Sequence, residues 1–522
     1  MFTEEAIKTF LLRNKTLISR NPPRKLGSSI LCIAIPALCI ALGPGCNRSD
    51  RSEKEPSGEE KESNYVPRTP GAQKKMAKQL LRIDTDLPPP PDVDAPNEGI
   101  WEMDPALEPG SYDVVRPVAV YREANTKSDI IGAVSSHTRL PRVQRVQGRG
   151  CSAGFFLRLA EGAYVCGTNL KQSNQPPFAR REPGLGANKL TPGTYGYIRT
   201  GGAKLYPTLK DGYHDTNGIP ISQSDTVRWA GKRSYNDMGF WRITHGQFVR
   251  DTRVRRFWPS HFQGVNLLES DKRLPLVFMV GRRRRKIGEK IPPIDVHKTP
   301  GGKVVSSIER HESRPVDDIK WIGDQRWFHI PGEGWVTSEL TRLARLTDPP
   351  EGLHPRERWF DVDLDEQVLT VYRGPTPVYT TLVSAGTWKH PTPTGVFRIY
   401  NKRSEADMRS DPTADDQYRV DHVPWAMYFK GPYAMHGAYW HNAFGHARSR
   451  GCINLAPKDA EFVYHFARPK VPKGWTAVDS DENRPGTAIR IRGASRKEDD
   501  SPHADTEEGS QEEESGNKGK NN

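Results

Sequence analysis

The chain has 522 residues, which is too many for one hydrophobic core, so several domains are expected. Only 35% of the residues are hydrophobic and the mean hydropathy is −0.72, so part of the chain must be linker or tail. The net charge is +13, and residues 496–522 carry nine acidic against four basic side chains, so the body is still more basic. A basic body suits an anionic partner: nucleic acid, an acidic membrane face or an anionic wall polymer.

Residues 1–46 have the composition of a secretory signal. Basic residues between Lys8 and Lys25 precede an apolar run of about thirteen residues at 30–42, which is short for a membrane-spanning helix. The run ends at GPGC (43–46), which resembles a bacterial lipoprotein signal in which Cys46 is lipidated. The alternative is an uncleaved anchor. Both place the rest of the chain on the periplasmic side of the cell envelope, which argues against a nucleic-acid partner.

Two segments are predicted to be disordered. Residues 47–110 are charged and contain a proline run at 88–91, which is typical of an extended tether. Residues 494–522 form an acidic tail with almost no apolar residues.

Three weak repeats follow the tether. Phe156, Phe240 and Trp327 lie 84 and 87 positions apart, each in a hairpin that continues through a turn to an aromatic residue and valine. The repeats resemble bacterial SH3-like domains, which are small barrels, and we predict three of them, at 111–172, 192–265 and 274–346. Their aromatic residues either bind an extracellular polymer such as the cell wall or fill the barrel cores, in which case the domains are spacers for the last part of the chain. The basic run 282–286 is either a solvated strand edge or a contact for anionic polymer.

The cysteines divide by position. Three lie at or before Cys46, and Cys151 and Cys166 form a pair that would bridge in an oxidising compartment. The alternative for this pair is two buried free thiols. Cys452 remains unpaired, as expected for a reactive cysteine.

Residues 356–493 are predicted to form the last domain. Alternating apolar positions predict a β-sandwich, and Pro457 begins its one helix. The chain as a whole is therefore predicted to be mainly β. It has no Gly-rich phosphate loop and no paired CxxC metal site, so we expect no cofactor.

His436 and Cys452 lie sixteen positions apart in this domain. An imidazole can take the proton of a thiol and later return it to a leaving amine. From the spacing alone, a buried thiol and a core histidine are the more common arrangement.

The residues around His436 and Cys452 change this interpretation. The string HGAYWHNAFGHARSRGCINL (436–455), together with PTPTGVF (391–397) and VPWAMYF (423–429), resembles the signature of the YkuD-type L,D-transpeptidases. The resemblance covers about a quarter of the chain. It implies that Cys452 is the nucleophile and His436 the general base and acid in an exchange at peptidoglycan stem peptides. A thioester forms at the third stem residue, D-alanine leaves, and an amine of a neighbouring stem makes a 3→3 cross-link.

The resemblance also assigns supporting roles. The N–H groups of Gly451 and Cys452 match the oxyanion hole, and Gly437 follows the histidine in the motif. Ser449 either holds the loop by hydrogen bonding or is a plain turn residue. Asn454 is expected to hold the loop through its side chain.

Arg450 stands where many relatives have histidine. Its charge would lower the thiol pKa or bind a stem carboxylate, unless the side chain points outward. Tyr428, Trp440 and Trp388 are predicted to line the pocket. His436, His441 and His446 do not have the spacing of a zinc protease, so no metal is predicted.

Three other functions remain open. Water as the acceptor would make the same site an L,D-carboxypeptidase. A protein lysine as the acceptor would attach an envelope protein to the wall. The non-enzymatic alternative is an inactive wall-binding scaffold.

Overall fold

The computed structural model describes residues 106–494, except 137, 187–188, 224, 284–289 and 410–418. The predicted signal, most of the tether, much of the basic run and almost all of the tail lie outside the described residues. Strand β1 begins at Glu108, so the last residues of the predicted tether belong to a strand. The described chain is mainly β, as predicted, and none of its described helices is long and apolar enough to cross a membrane.

The first module contains eight strands in two sheets, with orders β4-β1-β8 and β5-β6-β7-β2-β3. Cys151 and Cys166 form a disulfide beside the β6–β7 hairpin. The strands are β1 (Glu108–Val114), β2 (Val118–Tyr121), β3 (Ile130–Val134), β4 (Arg139–Arg142), β5 (Arg145–Val146), β6 (Phe156–Ala160), β7 (Ala163–Cys166) and β8 (Leu170–Ser173).

The second module is built on a five-stranded sheet of order β14-β13-β12-β9-β15. A short helix, α1 (Leu209–His214), begins after Thr208, whose hydroxyl accepts the Asp211 N–H and so caps the helix. The strands are β9 (Thr194–Ile198), β10 (Lys204–Leu205), β11 (Ile219–Pro220), β12 (Thr226–Tyr235), β13 (Met238–Ile243), β14 (Phe248–Arg250) and β15 (Val254–Arg256).

The third module again has two sheets, with orders β20-β17-β24 and β19-β18-β23-β22-β21. A connecting strand, β16 (Val265–Asn266), precedes it. The strands are β17 (Leu276–Met279), β18 (Ile294–His297), β19 (Val304–Ile308), β20 (Ser313–Pro315), β21 (Asp318–Ile322), β22 (Gln325–Ile330), β23 (Gly334–Thr337) and β24 (Thr341–Ala344).

The repeat aromatics Phe156, Phe240 and Trp327 are buried in their modules, at 0%, 0% and 5% exposure. These three side chains therefore fill cores and are not available to bind the wall. The SH3-like assignment of the modules stays a prediction.

The last domain holds α2 (Pro457–Phe466) and ten strands in the order β28-β34-β25-β26-β27-β32-β31-β30-β29-β33. The side chains of Met427, Met435 and Ile453 pack with those of Val463 and Tyr464 on α2, so α2 covers one face of the sheet. The strands are β25 (Arg358–Asp363), β26 (Val368–Arg373), β27 (Thr376–Ser384), β28 (Gly395–Arg398), β29 (Asn401–Arg409), β30 (Arg419–Lys430), β31 (Tyr433–Gly437), β32 (Ile453–Leu455), β33 (Trp475–Asp479) and β34 (Ala488–Arg492).

Strands shared between units join the modules to this domain. In the first module β3 pairs with β33, and Gly132 is needed there because a Cβ would lie 2.6 Å from the Ala477 carbonyl oxygen. The connecting strand β16 pairs with β27, with Val265 opposite Thr380. The first module and the connecting strand are therefore joined to the sheet of the last domain, and the predicted second module ends inside the connecting strand.

Candidate active site

Parallel pairing of β31 and β32 places the two predicted catalytic residues. Met435 pairs with Ile453, and His436 pairs with Asn454. Cys452 immediately precedes β32, level with Ala434, whose backbone forms a hydrogen bond to the sulfur. Since side chains alternate along a strand, extending the register back by one residue from Ile453 puts Cys452 on the face that carries His436, two residues or about 7 Å away along the strands. This is the face opposite α2.

His436 is buried, with 2% of its surface exposed. Its Nδ1 lies 3.3 Å from the Gly437 carbonyl oxygen, which can only accept a hydrogen bond, so Nδ1 carries the proton and Nε2 keeps its lone pair. Burial lowers the pKa of this imidazole to about 4, although the Gly437 carbonyl partly offsets the effect. His436 is therefore a neutral base at pH 7.

Cys452 is partly exposed. Burial raises the pKa of its thiol above the usual value, and the backbone hydrogen bond from Ala434 offsets this only in part. The net shift of the thiol pKa is upward and Arg450 is exposed, so the predicted effect of Arg450 on this pKa stays a prediction. The resting site therefore holds a protonated thiol and a neutral imidazole.

Hydroxyl groups hold the turn 449–452. Ser449 Oγ donates to the Cys452 carbonyl and accepts the Gly451 N–H at 3.1 Å. Thr392 Oγ1 donates to the Gly451 carbonyl at 3.0 Å. The Gly451 N–H is therefore engaged within the turn, and the predicted oxyanion role of the Gly451 and Cys452 N–H groups stays a prediction.

Gly451 meets two requirements that only glycine satisfies here. Its φ is +107°, and a Cβ would lie 2.4 Å from the ring of Tyr433. A side chain at this position would therefore displace Tyr433 or the turn that carries Cys452.

Asn454 and His441 form a buried pair, with Asn454 Nδ2 2.9 Å from His441 Nε2. The Ala443 N–H donates to His441 Nδ1, so the ring proton is on Nε2 and the Asn454 amide must present its oxygen. Both His441 nitrogens are thus engaged within the protein.

One group of potential metal ligands comes together among the described residues: His245, Asp407 and Asp421. Arg419 already binds both carboxylate oxygens of Asp421, at 2.7 and 3.1 Å. A cation bound here would therefore be repelled by the positive charge of this guanidinium.

The predicted pocket residues occupy three different elements. Tyr428 pairs with Ala434, so it lies on the same face and in the same row as Cys452. The ring of Trp440 lies 5.7 Å from that of His436. Trp388 is 46% exposed on the loop after β27, which adjoins the Ser449 turn through a bridge between Gly386 and Ser449.

Sequence reasoning missed the residues that hold the loop 438–448. They come from the second and third modules, and examples are Tyr195, Arg310 and Arg342. No local pattern marks them, because they meet the loop only in the folded chain.

A model of a known family matches the last domain. Residues 357–491 match the family model of the YkuD L,D-transpeptidase catalytic domain, and this part of the chain has a YkuD-like fold. The chain matches no curated protein.

Several solved structures are similar. A crystal structure of an Enterococcus faecium L,D-transpeptidase mutant has 22% identity and a TM-score of 0.21, covering 26% of this chain and 50% of that one. An L,D-transpeptidase from Mycobacterium smegmatis has 20% identity and a TM-score of 0.22, covering 32% of this chain and 77% of that one. L,D-transpeptidase 3 from Mycobacterium tuberculosis, with a faropenem-derived adduct, has 18% identity and a TM-score of 0.22, covering 34% and 77%. This chain thus spans half the length of the first of these.

Proposed function

With residues 357–491 matching the YkuD catalytic domain, we propose that the protein is a cysteine L,D-transpeptidase acting on peptidoglycan stem peptides. Cys452 is the nucleophile and His436 is the general base and acid. The observation that carries the proposal is their placement on one face of the sheet, with a partly exposed sulfur and a buried neutral imidazole.

The first half-reaction is acylation. Cys452 Sγ attacks the carbonyl carbon of the third stem residue while His436 Nε2 takes the thiol proton. The carbon–nitrogen bond breaks, the proton passes to the leaving D-alanine nitrogen, and a thioester remains. The Cys452 N–H is placed to stabilise the oxyanion of the tetrahedral intermediate.

The second half-reaction transfers the acyl group. The amine of a neighbouring stem attacks the thioester, loses a proton to His436 and displaces the sulfur, which regains its proton. The product is a 3→3 cross-link and free enzyme.

We also propose that the protein works in the cell envelope, anchored through a lipid on Cys46. The Cys151–Cys166 disulfide supports an oxidising compartment. The GPGC sequence at the end of the apolar run supports the anchor.

The test uses purified protein and muropeptides with tetrapeptide stems. We expect cross-linked dimers from the unaltered protein and none from Cys452→Ala or His436→Ala, whereas the exposed His354→Ala should stay active. A carbapenem should add its mass to the peptide that contains Cys452, and Cys452→Ala should lack this adduct.

Tripeptides without dimers would indicate a carboxypeptidase, and stems joined to a protein lysine would indicate protein attachment. If neither a product nor an adduct forms, the protein is instead an inactive wall-binding scaffold.

A further inference from the structure

Three aromatic contacts connect the second module to the catalytic histidine. Tyr195 on β9 stacks on Tyr439, with centroids 3.8 Å apart and planes 16° apart. Tyr439 meets Trp440 edge-on at 4.9 Å, and Trp440 lies 5.7 Å from His436. Tyr195 is 2% exposed and Tyr439 is fully buried, so neither ring can turn without displacing its neighbour.

A closed set of hydrogen bonds fixes the other end of Tyr439. Its hydroxyl donates to the Asp421 carbonyl at 2.7 Å and accepts from Thr226 Oγ1 at 2.9 Å. Thr226 Oγ1 in turn accepts the Asp421 N–H at 2.9 Å. Because Thr226 lies on β12, the second module holds both the ring and the hydroxyl of Tyr439.

The third module holds the same loop at two carbonyls. Arg310 donates to the Asn442 carbonyl at 2.8 Å, and Arg342 donates to the Gly445 carbonyl at 2.8 Å. Each guanidinium also donates to a carbonyl of its own module, at Val280 and Thr341 respectively. The loop between His436 and Cys452 is thus tied to both modules.

We propose that Tyr195 is a positioning residue for His436, acting through Tyr439 and Trp440, and that the second module is part of the active-site scaffold. The proposal rests on the proposed function only for the role of His436 in acyl transfer. The ring contacts themselves hold for any chemistry at this pair.

The test compares Tyr195→Ala with Tyr195→Phe in the full chain. The Tyr195 hydroxyl is buried and has no hydrogen-bond partner among the described residues, so phenylalanine keeps the stack without breaking a described hydrogen bond. The matched control is Phe240→Leu, because Phe240 is an equally buried aromatic of the same module whose ring packs against Gly212. Two readouts are measured: the saturating rate of Cys452 acylation by a carbapenem, and the NMR resonances of the His436 ring, which Trp440 shifts by its ring current.

We expect Tyr195→Ala to lower the saturating acylation rate about 10- to 100-fold, because a displacement of about 1 Å can have that effect. The carbapenem concentration for half-saturation should change little, and the His436 resonances should move. Tyr195→Phe should restore both readouts, and Phe240→Leu should leave both unchanged even if its unfolding temperature falls. A folded Tyr195→Ala with the original rate and unshifted His436 resonances would overturn the proposal.

The two proposals fail in different ways. If the unaltered protein reacts with the carbapenem but makes no muropeptide product, the proposed substrate is wrong and the positioning role is still measured. If the carbapenem does not react at all, the His436 resonances alone decide whether Tyr195 positions the ring.

Discussion

Asn454 faces His436 across the parallel pair of β31 and β32, and its amide reaches His441 at 2.9 Å. One residue of the Gly-Cys-x-Asn segment therefore lies beside the imidazole proposed as the base and also holds the loop that follows it. Because Asn454 and His441 are 3% and 2% exposed, water does not replace this hydrogen bond if it is lost.

We expect Asn454→Leu to destabilise the protein by about 1–3 kcal/mol, because the buried His441 N–H is left without an acceptor. Cys452 acylation should also slow, since the loop after His436 loses its hold. Thermal unfolding and carbapenem acylation measure the two effects. Asn483→Leu, at an exposed asparagine, is the control and should change neither. A stable Asn454→Leu variant with unchanged acylation would show that the pair has no positioning role.

The pH dependence of Cys452 alkylation reports the resting state of the pair. The His436 pKa is lowered to about 4 and the Cys452 pKa is raised, so the site holds a thiol and a neutral imidazole between about pH 5 and 8. The rate with iodoacetamide, followed on the Cys452 peptide by mass spectrometry, should rise about tenfold per pH unit through this range, as thiolate forms. A plateau between pH 5 and 7 that disappears in His436→Ala would instead indicate a preformed ion pair.

Gly451→Ala should disturb the turn that carries Cys452. The φ of +107° and the Tyr433 ring 2.4 Å from the added Cβ both oppose a side chain. We expect a loss of about 1–3 kcal/mol from the backbone conformation, a further loss from the clash, and a large fall in acylation. Gly352→Ala is the control for the backbone conformation alone. The φ of Gly352 is +79°, but no atom lies within 4 Å of a Cβ added there, so no clash arises. If the clash matters, Gly451→Ala combined with Tyr433→Ala should recover part of the lost stability.

Asp459 should make stability depend on pH. It lies at the start of α2 and accepts hydrogen bonds from Tyr379, Thr381 and the Gly264 N–H, and burial raises its pKa to about 6. The folded protein therefore binds this proton more tightly than the unfolded chain. The protonated Asp459 therefore contributes fully to the free energy of unfolding below about pH 4, and this contribution is lost as the pH rises through about 6.

We therefore compare the difference in unfolding temperature, the unaltered protein minus Asp459→Asn, at two pH values. This difference should be larger in favour of the unaltered protein at pH 4 than at pH 7. His436, whose pKa is lowered on folding, acts in the opposite direction in the same range, but it is present in both proteins and cancels in the comparison. An equal difference at both pH values would mean that Asp459 titrates normally.

The strand pattern of the last domain was largely predictable because its strands are apolar at alternate positions. The helix was predicted to begin at Pro457, and it does. Strand β29 was missed because its sequence, NKRSEADMR, is polar at most positions, and pairing with β30 and β33 decides its conformation. The cis peptide bonds before Pro275 and Pro469 likewise could not be predicted from the alternation of apolar residues.

The sequence by itself determined the mainly β class and the last domain, and it marked His436 and Cys452 as candidates, since short-range patterns and a contiguous motif carry that information. Only the tertiary structure decided that both side chains share one face, that the Gly451 N–H is occupied, and that Tyr195, Arg310 and Arg342 hold the loop 438–448. Those relationships join residues that are up to about 240 positions apart. Side-chain contacts across such separations depend on how the strands pair and pack, which no local pattern specifies.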